Sequence, residues 1–202
     1  MNVDIQMPGN LSRFFEVVGP SGRRNLYSAT ASAVCALVRS HIASESTVRH
    51  SSAQRLGASP TGHLSKGARA ITFAADQEHG EVVIPIPGIS RAFHDVEIVP
   101  TRSSRLTIPI NARSYGRRVR ELQSIGWTMF TPPKGHDKED ILFGSRGKGK
   151  NREVIPLYVL KTHVKQKMDK SLMPSQSDIS TSAASAIYFE LKRCVEKASH
   201  AH

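Results

Sequence analysis

The stretch Leu56-Gly57-Ala58-Ser59-Pro60-Thr61-Gly62-His63-Leu64 divides the chain into two kinds of sequence. Before it lies a long run rich in Ala, Ser and Val. After it come short runs of β-branched residues. Gly57 and Gly62 can adopt positive φ, and Pro60 lacks the amide hydrogen that a continuing helix needs. A helix that reaches this joint must stop there, and the chain must turn. The expected architecture is therefore α+β: a mostly antiparallel, twisted sheet packed by a long N-terminal helix and a C-terminal helix.

Periodicity fills in the elements. Three- and four-residue spacing predicts a long helix over 25–56, capped by Asn25, with a stripe of small side chains at Leu26, Ala29, Ala33, Ala36, Leu37, Ser40 and Ser44. Residues 1–24, with Pro8, Gly9, Gly19, Pro20 and Gly22, read as an irregular arm holding one short helical turn over 11–18, capped by Asn10. A β-rich core is expected over 69–163, with three hairpins pairing 70–75 with 81–86, 95–99 with 105–110, and 128–131 with 140–144. Residues 115–125 read as a short helix stopped by Gly126. A last strand over 153–161 is expected to run on into a helix ending at Met168. Ser177 and Asp178 open the C-terminal helix, 177–199, whose apolar stripe is Ala184, Ile187, Leu191, Cys194 or Val195, and Ala198. The whole of 25–199 is expected to form a single domain.

At 202 residues and 39% hydrophobic content the chain can bury one core. Its apolar runs are far shorter than the ~20 residues of a membrane span. Met1-Asn2-Val3-Asp4-Ile5 shows no basic region followed by an apolar stretch, so no secretory signal is expected. Cys35 and Cys194 read as two reduced thiols, with a disulfide between two helices as the alternative.

Charge is the second strong signal. The net charge is +11, and residues 101–170 hold sixteen Lys/Arg against six Asp/Glu. Such a concentration attracts polyanions or an acidic protein surface. Arg113, Arg117, Arg118 and Arg120 gather around the short helix and are candidate DNA-facing residues. Lys134, His136 and Lys138 lie in one loop, and Arg146, Lys148, Lys150 and Arg152 in another. Both are candidate assembly loops. The nearby aromatics Trp127, Phe130 and Tyr158 fall in strand-like runs where core packing competes with base stacking, so backbone attraction is favoured over base reading.

Catalytic motifs are weak. Gly144-Ser145-Arg146-Gly147-Lys148-Gly149-Lys150 has the letters of a phosphate-binding loop, but Asn151 stands where Ser or Thr binds magnesium, and a strand-like run follows. The nine histidines form neither a His-Glu-x-x-His nor a Cys/His ligand pattern. His136, Asp137, Glu139 and Asp140 read as a solvated turn. No catalytic residue, metal or cofactor is expected.

The Ala-rich helix, then Ala58-Ser59-Pro60-Thr61-Gly62-His63-Leu64, then hairpins, resembles the phage virion morphogenesis proteins of tail completion and head–tail joining, in their Mu-type branch. The joint departs from that family's Pro-x-Thr-Gly-x-Leu by one residue missing between Pro60 and Thr61. Ile155-Pro156-Leu157-Tyr158-Val159-Leu160 with basic residues after it, and a helix after Leu172-Met173-Pro174, extend the resemblance over about 26–199. It implies a non-enzymatic structural subunit that completes a tail or joins it to a head. It implies self-association into a ring, contacts with connector, portal or tail-tube proteins, and non-specific contact with packaged DNA. The implied location is the virion, and the host cytoplasm during assembly. Pro60, Thr61, Gly62 and Leu64 would form a structural joint. The alternative from the charge alone is a basic DNA- or RNA-binding accessory protein of a prophage.

Overall fold

A computed structural model of the chain describes residues 2–5, 12–49 and 51–199. In chain order the elements are β1 (Asn2–Ile5), α1 (Ser12–Val48), α2 (Ser51–Arg55), α3 (His63–Ala70), β2 (Thr72–Ala75), β3 (Gly80–Val83) and β4 (Val96–Ile98). There follow β5 (Leu106–Pro109), α4 (Val119–Ser124), β6 (Thr128–Phe130), β7 (Ile141–Arg146), β8 (Glu153–Lys161), β9 (Val164–Gln166) and α5 (Gln176–Ser199). The architecture is α+β, and every strand pairing is antiparallel. One domain is expected over 25–199; the structure shows two parts within it. The chain forms two compact units, one from 1–47, 62–94 and 168–202, the other from 48–61 and 95–167.

The first unit holds the three-stranded sheet β1-β3-β2, with α1, α3 and α5. Its core joins Val34, Val38 and Ile42 of α1 to Val82, Ile84 and Ile86, with Leu172, Met173 and Ile179 closing it from the C-terminal side. The β2–β3 hairpin is the expected one. Its turn is set by the Asp76 carboxylate, which accepts the amides of Glu78 at 2.7 Å and His79 at 2.9 Å. Those two amides, Glu78's first, hold the Asp76 carboxyl below its usual pKa, and His79 beside it adds to the effect.

Three expectations fail in this unit. The described part of 1–24 is more ordered than the expected arm: residues 2–5 form β1, and residues 12–18 are helical up to the break at Gly19, as the expected short turn over 11–18 has it. The expected cap Asn10 and the first residue of the expected turn, Leu11, lie outside the described residues. Gly19 interrupts α1 at φ 69, ψ 177, and Pro20 follows it, so the long helix starts five residues before Asn25. Proline suits this position because the first helical turn leaves its amides unbonded anyway. The buried face of α1 is also rotated from the expected stripe. Leu26 of that stripe is buried, together with Tyr27, Thr30, Ala31, Val34, Cys35, Val38 and Ile42, whereas Ala36, Ser40 and Ser44 are exposed. Alanine occurs on several sides of this helix, so the larger side chains decide which side turns inward. Gly80 then lets β3 approach closely: a Cβ there would lie 3.1 Å from the Tyr27 carbonyl oxygen and 3.3 Å from Ala31 Cβ.

The end of α1 is written in its hydroxyls. Ser44, Ser46 and Thr47 each donate to the carbonyl three residues back, at 2.6–2.7 Å. Such bonds compete with the helical ladder. The helix stops at Val48, and α2 is a separate element ending at Arg55. The joint then behaves as its glycines require, with Gly57 at φ 62 and Gly62 at φ 65. It opens not directly into a hairpin but into α3, which carries Leu64 and Ala68 on its core face.

The second unit is built on the four-stranded sheet β5-β8-β7-β6, with the pair β4-β9 beside it in sequence order. Its core is Leu122, Trp127, Leu157 and Tyr158. Here the 128–131/140–144 hairpin holds as β6–β7, but the expected 95–99/105–110 hairpin does not form. β4 pairs with β9, and β5 pairs with β8. The helix expected after β8 is also absent, because that segment is the partner strand of β4. Pro109 ends β5, an edge strand, where a missing amide costs no ladder bond.

A register shift between Leu142 and Phe143 inserts Leu157 as an extra residue on β8, so that consecutive Leu157 and Tyr158 are both buried. The packing depends on Gly144, where a Cβ would lie 2.3 Å from Leu157 Cδ1 and 2.8 Å from Trp127 Cε3. The 111–118 segment is stitched to β8. Buried Ser114 donates its hydroxyl to the Leu157 carbonyl at 2.6 Å, and the Tyr158 hydroxyl donates to the Arg117 carbonyl at 2.9 Å. Among the described residues, no helix is long and apolar enough to cross a membrane.

Candidate functional site

Strand order sorts the basic segments of the second unit. β7 runs from the 131–140 loop to the 147–152 tip, and its six residues span about 20 Å. The two candidate assembly loops therefore sit at opposite ends of one sheet. Lys134, His136 and Lys138 share their end with Arg105 and Lys161. Arg146, Lys148, Lys150 and Arg152 occupy the other end, with Arg113.

The 147–152 tip is a shaped turn. Gly147 has φ +89, and a Cβ there would stand 2.4 Å from the Asn151 carbonyl oxygen, so only glycine fits. A short 3-10 turn, Gly149–Asn151, closes it, with Asn151 and Arg152 donating to the Lys148 and Gly149 carbonyls, each at 3.2 Å. The tip leads into β8 and not into a helix, so the letters of a phosphate-binding loop here spell a β-hairpin. Arg146, Lys148, Lys150 and Arg152 are all exposed, and none meets an acidic partner among the described residues.

Arg113 differs. Its guanidinium pairs with Glu153 at 2.6 Å, at the foot of the tip, and lies 5.4 Å from the centre of the Trp127 ring. It braces the hairpin base, a contact worth ~0.5–1 kcal/mol at an exposed site. Arg117 and Arg118 lead into α4, where the Arg118 amide donates to the Glu121 carboxylate at 3.1 Å. Arg117, Arg118 and Arg120 are exposed around α4 and are not part of the tip. Buried Tyr158 sits beneath this segment. Desolvation, with Glu121 nearby, pushes its phenol pKa above the usual value, while Arg117 opposes the shift. Trp127 is buried as expected, but Phe130 is partly exposed and stacks on Phe143 with centroids 5.8 Å apart.

The opposite loop spends its polar groups on its own turn. Glu139 accepts the Gly135 amide at 2.8 Å, His136 accepts the Lys138 amide at 3.1 Å, and Asp140 pairs with Arg105 at 2.5 Å. Among the described residues, no three His, Cys, Asp or Glu side chains are grouped to hold a metal ion. Cys35 and Cys194 are both free thiols.

Of the joint residues, Thr61 closes on the second unit, where its Cγ2 would stand 2.7 Å from a Cβ placed on Gly116. Leu64 packs on the core of the first. Pro60, Thr61, Gly62 and Leu64 thus mark the passage of the chain from one unit to the other. The charge divides at the same boundaries. The second unit carries seventeen Lys/Arg and seven Asp/Glu, and the first eleven and ten. In comparisons with known proteins, no family model, no curated protein and no solved structure matches this chain.

Proposed function

We propose that this chain is a structural protein of phage assembly that completes a tail or joins it to a head as one subunit of a ring. The observation that carries the reading is the β7–β8 tip, which presents Arg146, Lys148, Lys150 and Arg152 unpaired on a turn that only glycine can close. A cationic projection of fixed shape suits docking onto an acidic connector, portal or tail-tube surface, and tolerates phosphates passing close by. The order of long helix, glycine-rich joint, strands and C-terminal helix supports the same reading.

Electron microscopy of lysates from a phage with this gene disrupted tests it. Separate filled heads and tails are expected for a joining role, and overlong or ragged tails for a completion role. Normal virions would overturn it. Changing Arg146, Lys148, Lys150 and Arg152 together to Ala is expected to leave the fold intact and abolish infectious particles.

The net +10 of the second unit favours a second reading, a DNA- or RNA-binding accessory protein. Titration of duplex DNA at rising salt separates the two. An accessory protein gives a tight complex, and losing the four tip cations flattens its log–log salt slope by up to about 3.6. A joining protein gives weak binding throughout.

A further inference from the structure

The C-terminal helix α5 is apolar on two sides, and the first unit uses one of them. Ile179 and Ala183 face the core, and Glu190 is buried on the same side, where it pairs with Arg193 at 2.6 Å. On the outer side, Thr181, Ala184, Tyr188, Leu191 and Val195 recur at alternating spacings of three and four residues, which is the seam spacing of a coiled coil. Leu191 is half-buried and the rest are exposed, with Tyr188 at 63% and Val195 at 64%. A helix with apolar residues on both sides is ordinarily covered on both.

We propose that this outer seam pairs with the same helix of a second copy, antiparallel, about a two-fold axis at the level of Ala186. The side chains argue for that partner and that direction. The axis sets each large residue against a small one of the copy: Tyr188 against Ala184, Leu191 against Thr181, Val195 against Ser177. A parallel pairing sets Tyr188 on Tyr188 and Ala184 on Ala184, leaving alternate crowding and gaps. Lys192 and Asp178 each follow a seam residue directly, so both flank the seam on one side. Antiparallel pairing brings Lys192 of each copy beside Asp178 of the other, giving two equivalent Lys–Asp ion pairs. Both side chains are exposed, and Asp178 keeps one carboxylate oxygen free of its bond to the Ser175 hydroxyl. The near-neutral first unit, with eleven basic and ten acidic residues, adds little repulsion. The inference stands on α5 alone and does not depend on the phage reading. A helix of 24 residues is about 36 Å long, so the contact is small and the dimer is a weak one, concentration-dependent at micromolar levels.

Sedimentation velocity of the full chain over rising concentration, together with disulfide trapping, tests it. The expected result is a dimer that Tyr188→Glu weakens about tenfold or more, with an unchanged circular dichroism spectrum. Lys192→Glu, at an exposed position whose present partner is Glu196 one turn on at 3.9 Å, is expected to weaken it too, more at low salt than at high. In a Cys194→Ser background, Ser177→Cys and Val195→Cys chains are expected to cross-link faster when mixed than either does alone. A chain that stays monomeric, an oligomer indifferent to both Tyr188→Glu and Lys192→Glu, or cross-linking of like with like would overturn the proposal.

Discussion

The two units are stabilised by different means. Among the described residues, the first buries a cluster of thirteen in which helices cover a three-stranded sheet, and its charges nearly cancel. The second buries a cluster of four, Leu122, Trp127, Leu157 and Tyr158, under a net charge of +10. A small core under strong self-repulsion needs other support. It finds it in four strands of ladder hydrogen bonds, in Gly144, which lets Trp127 and Leu157 close up, and in the Ser114 and Tyr158 hydroxyls that tie the 111–118 segment to β8. Most of the helix lies in the first unit, while Trp127, the single tryptophan, lies in the second. Far-ultraviolet circular dichroism and tryptophan fluorescence therefore report the two separately.

The largest expected effects come from core truncation. Ile42→Ala and Leu157→Ala should each cost about 2–5 kcal/mol. In denaturant titrations, Ile42→Ala is expected to shift the dichroism transition and Leu157→Ala the fluorescence transition. If each variant moves both signals equally, the units melt together and the contrast fails. Gly144→Ala comes next, at about 1–3 kcal/mol, because the added methyl would overlap Leu157 and Trp127. It should appear in fluorescence first; an unchanged midpoint would mean that the β7–β8 packing can yield.

Tyr158→Phe should cost about 1 kcal/mol through loss of the bond to the Arg117 carbonyl. It also gives the second unit a pH signature. A phenol whose folded pKa lies above the unfolded value favours folding fully below the unfolded pKa of 10.0, and that contribution disappears as pH rises through the folded pKa. Fluorescence-detected stability should therefore fall above about pH 10, and less steeply in the Phe variant. The smallest effect belongs to the first unit and has the opposite pH sense. The lowered pKa of Asp76 favours folding above its unfolded value of 3.8, and this is lost as pH falls through the folded pKa. Asp76→Ala is expected to remove that acid dependence from the β2–β3 hairpin, as read by amide exchange at Glu78 and His79.

The sequence made some of this legible and hid the rest for definable reasons. β2–β3 and β6–β7 were readable because each pairs neighbouring strands across a local turn, one of them fixed by Asp76. β4 and β5 were readable as strands but not in their pairing, since their partners β9 and β8 lie dozens of residues on, and no turn signal encodes a distant partner. The helical stripe of α1 was misphased because Ala and Ser mark several of its sides, whereas Tyr27, Val34, Val38 and Ile42 mark only one. α3 was hidden by the joint itself: Pro60 and Gly62 announce a stop, although Leu64, Ala68 and Ile71 follow at helical spacing. At the candidate site, the tip residues Arg146, Lys148, Lys150 and Arg152 were legible from charge and glycine alone. Their separation from Lys134 and Lys138 required the strand order, and the engagement of Arg113 with Glu153 and Trp127 required side-chain geometry.

The passage of the chain between units also sets a timetable for biosynthesis. The two units interleave along the chain, and the second is complete once residue 167 has emerged from the ribosome. The first, though it contains the N-terminus, must wait for Leu172, Met173 and Ile179 to close its core. The second unit can therefore mature while the first is still open. A chain ending near residue 170, held on the ribosome by a C-terminal tether long enough to clear the exit tunnel, would already hold Trp127 in its native surroundings while α1 remained without its final cover.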